Sequence, residues 1–294
     1  MKEKRFQKIY VEITNCCNLA CHFCEKGQKE PRYMTISEFE IILNKIKPYT
    51  NLIYFHIKGE PLLHPNFASF LEICEKNHML VNITTNATLL PKQLHAILFH
   101  KSIRQINISL HSIVVNENTK EKERQYLTQV INCVREIRKN TDILISYRLW
   151  NLENDQENNY NRTIIQYLED EYQKEGLWEL AKEQKAIKLA PYVYLNEDRQ
   201  FKWPNITLPV ITKRGKCFGT RNQIGILVDG TVIPCCLDQN GEIELGNIYQ
   251  QRIEDILESK RLKQMKQGFE SHKLTESLCQ RCDFRTRFDG NDMQ

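Results

Sequence analysis

Cys17, Cys21 and Cys24 stand in the run Cys-Asn-Leu-Ala-Cys-His-Phe-Cys, which places three thiolates within eight residues of one loop. The loop follows a short strand-like run, Tyr10-Val11-Glu12-Ile13-Thr14. Closed structural zinc sites and ordinary iron–sulfur sites take four protein ligands. Three thiolates therefore recruit a distant fourth or leave one metal position open, and an open iron is a reaction site. Zinc would be completed by His22 or by a remote Cys, but His22 sits between two ligand cysteines and would crowd them. Ligand type and spacing favour iron–sulfur.

A second set of thiols lies in the last third. Cys217 precedes the strand-like run Gln223-Ile224-Gly225-Ile226-Leu227-Val228, Asp229-Gly230 is a hairpin turn signal, and the return run carries Cys235 and Cys236. Cys279-Gln280-Arg281-Cys282 follows near the end. Cys217, Cys235, Cys279 and Cys282 converge on one four-thiolate site, which by geometry alone suits zinc or iron–sulfur. Cys236 is surplus to it. Cys74 and Cys133 lie on apolar helix faces and read as small buried hydrophobes, and Cys16 is unassigned.

These loops need elements to hold them. Strand-like and helix-like runs alternate through the first two thirds, the pattern of a parallel sheet with crossover helices. The strand runs are Tyr10 to Thr14, Leu52 to Ile57, Leu80 to Thr85, Gln105 to Leu110, Ile143 to Leu149 and, as a sixth, Ala186 to Ala190. Thr35-Ile36-Ser37-Glu38 has capping-box spacing ahead of a helix. The polar stretch from Asn151 to Asn161 reads as a loop or insertion, and one helix is expected from Ile253 to Met265. Six β–α units are fewer than the eight of a closed barrel. In parallel α/β folds the chemistry sits at the C-terminal ends of the strands, where the first cysteine loop falls.

The chain has 294 residues, 41% hydrophobic and 27% charged, with a net charge of +4. That charge is mild and interleaved with acidic residues, so no nucleic-acid surface is indicated. No run approaches a membrane span, and no signal-peptide stretch follows the charged N-terminus, so a soluble cytoplasmic protein is expected. In an intracellular chain, eleven closely spaced cysteines point to metal ligation rather than disulfides.

The Cys-x3-Cys-x2-Cys spacing, with Phe23 before the last Cys, resembles the signature of the radical S-adenosylmethionine (radical SAM) enzymes. The resemblance implies an open, TIM-like (β/α)6 partial barrel. It also implies a 4Fe–4S cluster on Cys17, Cys21 and Cys24 whose open iron binds S-adenosylmethionine and cleaves it reductively to a 5′-deoxyadenosyl radical. Lys58-Gly59-Glu60-Pro61 is similar to the family's Gly-Gly-Glu-Pro turn, with Lys58 in place of the first Gly. Gly59, Glu60, Pro61, Asn86 and Ser109 fall where relatives hold the cofactor, and His111 falls where relatives commonly carry Asp. Arg148, alternating with apolar neighbours, is expected to take a carboxylate, either that of the methionyl group or one on the substrate.

Cys217, Cys235, Leu245-Gly246-Asn247-Ile248 and the terminal Cys-x2-Cys resemble the shortened SPASM domain called Twitch, which implies a second, auxiliary 4Fe–4S cluster. The expected division is a core over 1–205 and an auxiliary domain over 206–294. The expected reaction is hydrogen abstraction with net dehydrogenation of a small molecule, since no separate leader-binding domain is evident in the sequence. A one-electron reductant such as flavodoxin or ferredoxin would supply electrons. The alternative is modification of a ribosomal peptide by epimerisation or crosslinking, with Cys236 as hydrogen donor. A non-enzymatic iron–sulfur electron carrier or scaffold would explain the cysteines but not Gly59-Glu60-Pro61.

Overall fold

The computed structural model describes residues 4–25, 27–112, 119–151 and 158–292. Its centre is a ten-stranded sheet of order β10-β9-β8-β1-β2-β3-β4-β5-β7-β6. The strands are β1 (Lys8–Val11), β2 (Leu52–Tyr54), β3 (Leu80–Thr85), β4 (Ile103–Ser109), β5 (Leu144–Leu149), β6 (Ala186–Ala190), β7 (Val193–Glu197), β8 (Gln223–Ile226), β9 (Thr231–Ile233) and β10 (Gly246–Asn247). β1, β2, β3, β4, β5 and β7 pair in parallel in that order, which is the six-stranded α/β arrangement expected.

The sixth parallel strand is not the expected one. Ala186–Ala190 is a strand, but it lies antiparallel at the outer edge, and Val193–Glu197 takes the place beside β5. The chain reverses at Pro191-Tyr192, where Tyr192 adopts a φ of 62°, and the return strand buries Val193 and Leu195. Two adjacent short apolar runs had the same signature, and only burial separates inner strand from outer.

Helices cover the outer face: α1 (Ile36–Ile46), α2 (Phe67–Lys76), α3 (Leu90–Phe99), α4 (Lys120–Asn140), α5 (Asn158–Tyr172) and α6 (Leu177–Glu183). The capping box at Thr35 and Glu38 starts α1. Ile9, Val11, Ile53, Val81, Ile83, Ile106, Ile108, Ile145 and Leu149 are buried beneath the helices, each side chain contributing roughly 1.5–3 kcal/mol. Of the polar stretch expected as a loop, Asn158–Asn161 form the first turn of α5, and 152–157 lie outside the described residues. The helix expected from Ile253 to Met265 is two, α7 (Ile253–Leu257) and α8 (Lys260–Glu270), because Ser259 caps α8 by accepting from the Leu262 N–H at 3.4 Å.

The inner face is different. Lys8 and Tyr10 of β1, Tyr54 of β2, Asn107 of β4 and Arg148 of β5 alternate with the apolar residues and are polar. Strands about 4.8 Å apart would hold β1 and β5 nearly 20 Å apart in a flat sheet. Yet the guanidinium of Arg148 acts electrostatically on Lys8, Tyr10 and His56. The sheet therefore curls around a polar lumen. β8 joins the free side of β1 in parallel, so the last third of the chain extends the same sheet.

Candidate active site

The three-Cys loop leaves β1 and is braced from the ends of β2 and β3. The brace at β2 is the turn Gly59-Glu60. Gly59 has a φ of +74°, and a Cβ there would stand 2.3 Å from the Thr14 carbonyl and 2.8 Å from that of Cys16, so only glycine fits. The next N–H, of Glu60, donates to the Cys16 carbonyl at 2.8 Å. The left-handed residue is Gly59 and not Lys58, which is why a side chain is accommodated at the position relatives fill with Gly.

Glu60 itself is buried. Its carboxylate accepts from Thr85 Oγ1 at 2.7 Å, the Asn86 N–H at 2.8 Å and the Leu62 N–H at 3.0 Å, tying the turn to the end of β3. Burial pushes its carboxyl up to about 7 against these three donors. Pro61 opens the short 3-10 turn that follows. Asn86 reaches back to the loop, with Nδ2 donating to Asn18 Oδ1 at 3.0 Å and lying 3.9 Å from Cys17 Sγ. Cys21 Sγ lies 4.0 Å from the Ser112 carbonyl, and Ser112 donates to the Ser109 carbonyl at 2.6 Å. Phe23 packs on His111 with ring centroids 5.1 Å apart.

The structure thus gathers Cys17, Cys21, Cys24, Phe23, Gly59, Glu60, Pro61, Asn86 and Ser109 at the C-terminal ends of β1–β4. Cys16 turns away toward the Arg32 carbonyl at 3.8 Å. His111 stacks near Trp150, its Nδ1 3.1 Å from the Arg148 carbonyl, and burial lowers its pKa to about 4, so it is a neutral packing group.

At the other thiol set, burial pushes the Cys235 thiol up, with smaller effects from Cys236 and then from Cys217, Cys279 and Cys282, and a Cβ at Gly219 would stand 3.7 Å from both Cys217 Sγ and Cys235 Cβ. Cys279 and Cys282 flank a single 3-10 turn. Arg285, 1% exposed, bonds Asp289 through one nitrogen while its Nε and Nη2 are buried without partners, and its charge acts on Cys217 and Cys282. Cys236 packs against the cluster of Tyr10, Ile57, Leu227 and Ile233 and hydrogen-bonds the Tyr10 hydroxyl.

The lumen between the two sets holds groups that sequence reasoning passed over. Lys8 Nζ lies 5.3 Å from the Tyr10 ring centroid and 5.0 Å from that of Tyr54, and His56 meets both rings at 5.5 and 5.7 Å. Burial, then the charges of Arg148 and Lys8, lower the His56 pKa to about 3, and its Nδ1 has no partner among the described residues. The available signal was the alternation Lys8-x-Tyr10-x-Glu12 and Tyr54-x-His56 in otherwise apolar strands. Glu12 accepts from the N–H of Lys58 at 3.0 Å and of Val228 at 3.1 Å, joining β1 to both the Gly59 turn and the β8–β9 hairpin.

Both thiol sets fit iron–sulfur clusters by donor chemistry. Among the described residues no three Cys, His, Asp or Glu side chains converge on a point for a single metal ion. A 4Fe–4S cluster instead carries its iron at separate corners, each taking one thiolate. Cationic or N–H donors already face the sulfurs: Lys58 Nζ 3.3 Å from Cys24, the Leu19 N–H 3.5 Å from Cys17, and the unsatisfied Arg285 beside Cys217 and Cys282.

Comparison with known proteins agrees. The radical SAM superfamily model matches residues 11–160, and the model of the iron–sulfur cluster-binding domain SPASM matches residues 217–283. The chain belongs to the radical SAM superfamily and carries a C-terminal SPASM domain. Its cofactors are 4Fe–4S clusters and S-adenosylmethionine.

One similar protein is the tungsten-containing aldehyde ferredoxin oxidoreductase cofactor-modifying protein of Pyrococcus furiosus, 36% identical over 90 residues, 29% of this chain and 25% of that one. The chain spans a quarter to under half of that relative and of several GTP 3′,8-cyclases. The S-adenosyl-L-methionine-dependent 2-deoxy-scyllo-inosamine dehydrogenase of Niallia circulans is 22% identical, with 96% of this chain and 94% of that one covered. The crystal structure of BtrN in complex with AdoMet and 2-DOIA has the same fold, with a TM-score of 0.59 at 20% identity over 96% of this chain and 94% of that one. No described helix is long and apolar enough to cross a membrane.

Proposed function

We propose that the chain dehydrogenates a small organic molecule held in the lumen between two clusters, one on Cys17, Cys21 and Cys24 and an auxiliary one on Cys217, Cys235, Cys279 and Cys282. S-adenosylmethionine bound at the first cluster would supply, on one-electron reduction, the 5′-deoxyadenosyl radical chemistry that removes a hydrogen atom from the substrate. The chain's own residues do the rest. Gly59 and Glu60 set the backbone that faces the cofactor's amino group, Phe23, Pro61, Asn86 and Ser109 wall its site, and Tyr10, Tyr54 and Arg148 line the chamber. The core spans 1–205 and the auxiliary domain 206–294, the latter hydrogen-bonded onto β1.

One observation carries the reading: Cys235 belongs to the second thiol set while Cys236, the next residue, touches Tyr10 in the lumen. This adjacency supports an auxiliary cluster beside the chamber, which would take the electron a substrate radical gives up as its proton passes to water. Likeness over nearly the full length to a dehydrogenase supports the same reaction class. The electron for the first cluster comes from a flavodoxin or ferredoxin, and the protein works in the cytoplasm. The same Cys236 contact favours a second reading, epimerisation or crosslinking of a ribosomal peptide with Cys236 giving back a hydrogen atom.

The test is metal content with uncoupled turnover. Two clusters give about eight iron per chain after anaerobic reconstitution, and Ala at Cys17, Cys21 and Cys24 leaves about four. Reduced protein forms 5′-deoxyadenosine; Cys24→Ala abolishes this and Cys282→Ala largely spares it. Stoichiometric zinc without visible absorption, or equal loss in both variants, would overturn the assignment.

A further inference from the structure

Lys8 and Arg148 are two cations facing one lumen, and among the described residues neither has an ion pair or a side-chain hydrogen bond. Lys8 Nζ lies over the faces of Tyr10 and Tyr54, at 5.3 and 5.0 Å, the Arg148 guanidinium lies over Trp150 at 4.8 Å, and both feel the neutral-when-protonated thiol of Cys236 nearby. Asp198, the carboxylate whose charge acts on Arg148, is held by Arg287.

Each cation also works against the other, since the charge of Arg148 weakens the hold of Lys8 on its proton. A half-buried pair of like charges with no ion pair among the described residues costs stability, and Cys236, the thiol near both, is itself pushed by burial toward its neutral form. The imidazole of His56 beside them adds a buried Nδ1 with no partner. Cations and an orphaned polar atom are thus left unsatisfied together, at the floor of the chamber.

We propose that this is an anion subsite, and that the substrate carries a carboxylate or phosphate group received between Lys8 and Arg148. The planar fork of Arg148 suits two oxygens of one anionic group and the ammonium of Lys8 neutralises it as a point charge. The orphaned Nδ1 of His56, whose ring meets both aromatic rings that flank Lys8, is at hand for a remaining oxygen. This assigns Arg148 to the substrate's anion, out of the two carboxylates its chemistry allows. The inference rests on the lumen being the substrate chamber and names the class of molecule that enters it.

The test uses the full chain, reconstituted anaerobically, loaded with S-adenosylmethionine and reduced, with inorganic phosphate and acetate as probes. Paramagnetic iron broadens the phosphorus or methyl resonance of an anion held near a cluster. Saturable broadening is expected from one or both probes, the stronger naming a phosphoester or a carboxylate substrate. Lys8→Met and Arg148→Met should weaken it by about tenfold or more, Lys8→Arg by much less, and Lys4→Met not at all. Iron content in the same samples separates a variant that lost the anion from one that lost its fold.

If wild-type protein forms 5′-deoxyadenosine and broadens neither probe saturably, the subsite is overturned while the radical reading stands. If it forms none, both fall. Wild-type anion binding in Lys8→Met, or loss of S-adenosylmethionine rather than anion in Arg148→Met, overturns the pairing.

Discussion

The ammonium of Lys58 lies 3.3 Å from the Sγ of Cys24, held there by the face of Trp203 at 5.3 Å. A charged donor on a cluster-ligating sulfur stabilises the more negative, reduced state, and hydrogen bonds to the sulfurs are among the factors that set iron–sulfur potentials. Lys58→Met should therefore lower the midpoint of the three-Cys cluster and leave the auxiliary one unmoved, as read by redox titration with paramagnetic resonance. Equal midpoints in variant and wild type would show that the ammonium plays no part once the cluster is built.

Gly59→Ala attacks the brace rather than the ligands. The methyl would sit 2.3 Å from the Thr14 carbonyl in a backbone conformation that side chains disfavour, a strain on the order of 1–3 kcal/mol before any contact is lost. Because that carbonyl precedes the cysteine loop, iron should fall from about eight to about four per chain with the auxiliary signal intact. A variant with full iron would mean the loop tolerates displacement.

Cys236 separates the two proposed chemistries. Oxidation disposes of an electron through the auxiliary cluster, so Cys236→Ala should leave turnover and product nearly unchanged. Epimerisation returns a hydrogen atom from a solvent-exchanging thiol, so one deuterium from heavy water would enter the product and Cys236→Ala would stop product while 5′-deoxyadenosine accumulates. Dehydrogenation is the expected outcome, and solvent deuterium that disappears with Cys236 would reverse it.

Glu12 makes stability depend on pH. Burial, offset in part by the Val228 and Lys58 N–H groups, raises its carboxyl from 4.5 to about 7. In that window the folded state binds the proton and the unfolded chain does not, so stability is full below about pH 4.5 and falls as pH rises to about 7. The loss is at most on the order of 3 kcal/mol. Urea midpoints of the anaerobic holoprotein should drop between about pH 5 and about pH 7.5, and Glu12→Gln should flatten part of the drop. Identical slopes in the two proteins would assign the dependence to other groups such as Glu60.

The two cysteine-bearing regions that the family models match were legible because part of their spacing is local: Cys17 to Cys24 and Cys279 to Cys282 each lie within one loop or turn. Five of the six inner strands were legible from apolar runs, though β1 and β2 end earlier than expected. β7 was not, since Ala186–Ala190 and Val193–Glu197 are adjacent five-residue runs that each alternate apolar with polar or small residues, and only the pairing after the reversal at Tyr192 assigns the inner place. Lys8, Tyr54 and His56 were hidden for a different reason. Their meaning comes from curvature, which brings β5 across to β1, and no local pattern encodes that closure.

Glu12 bonds a residue 216 positions further along the chain. With β8 lying against β1, the first strand has its second neighbour only after almost four fifths of the polypeptide exists. During synthesis the cysteine loop is therefore made early and secured late. Contacts of such long sequence separation slow folding and leave edges exposed in the interval. Until the last third emerges, the strand that leads into the first cysteine loop has β2 on one side and an open edge on the other, the edge that β8 later covers.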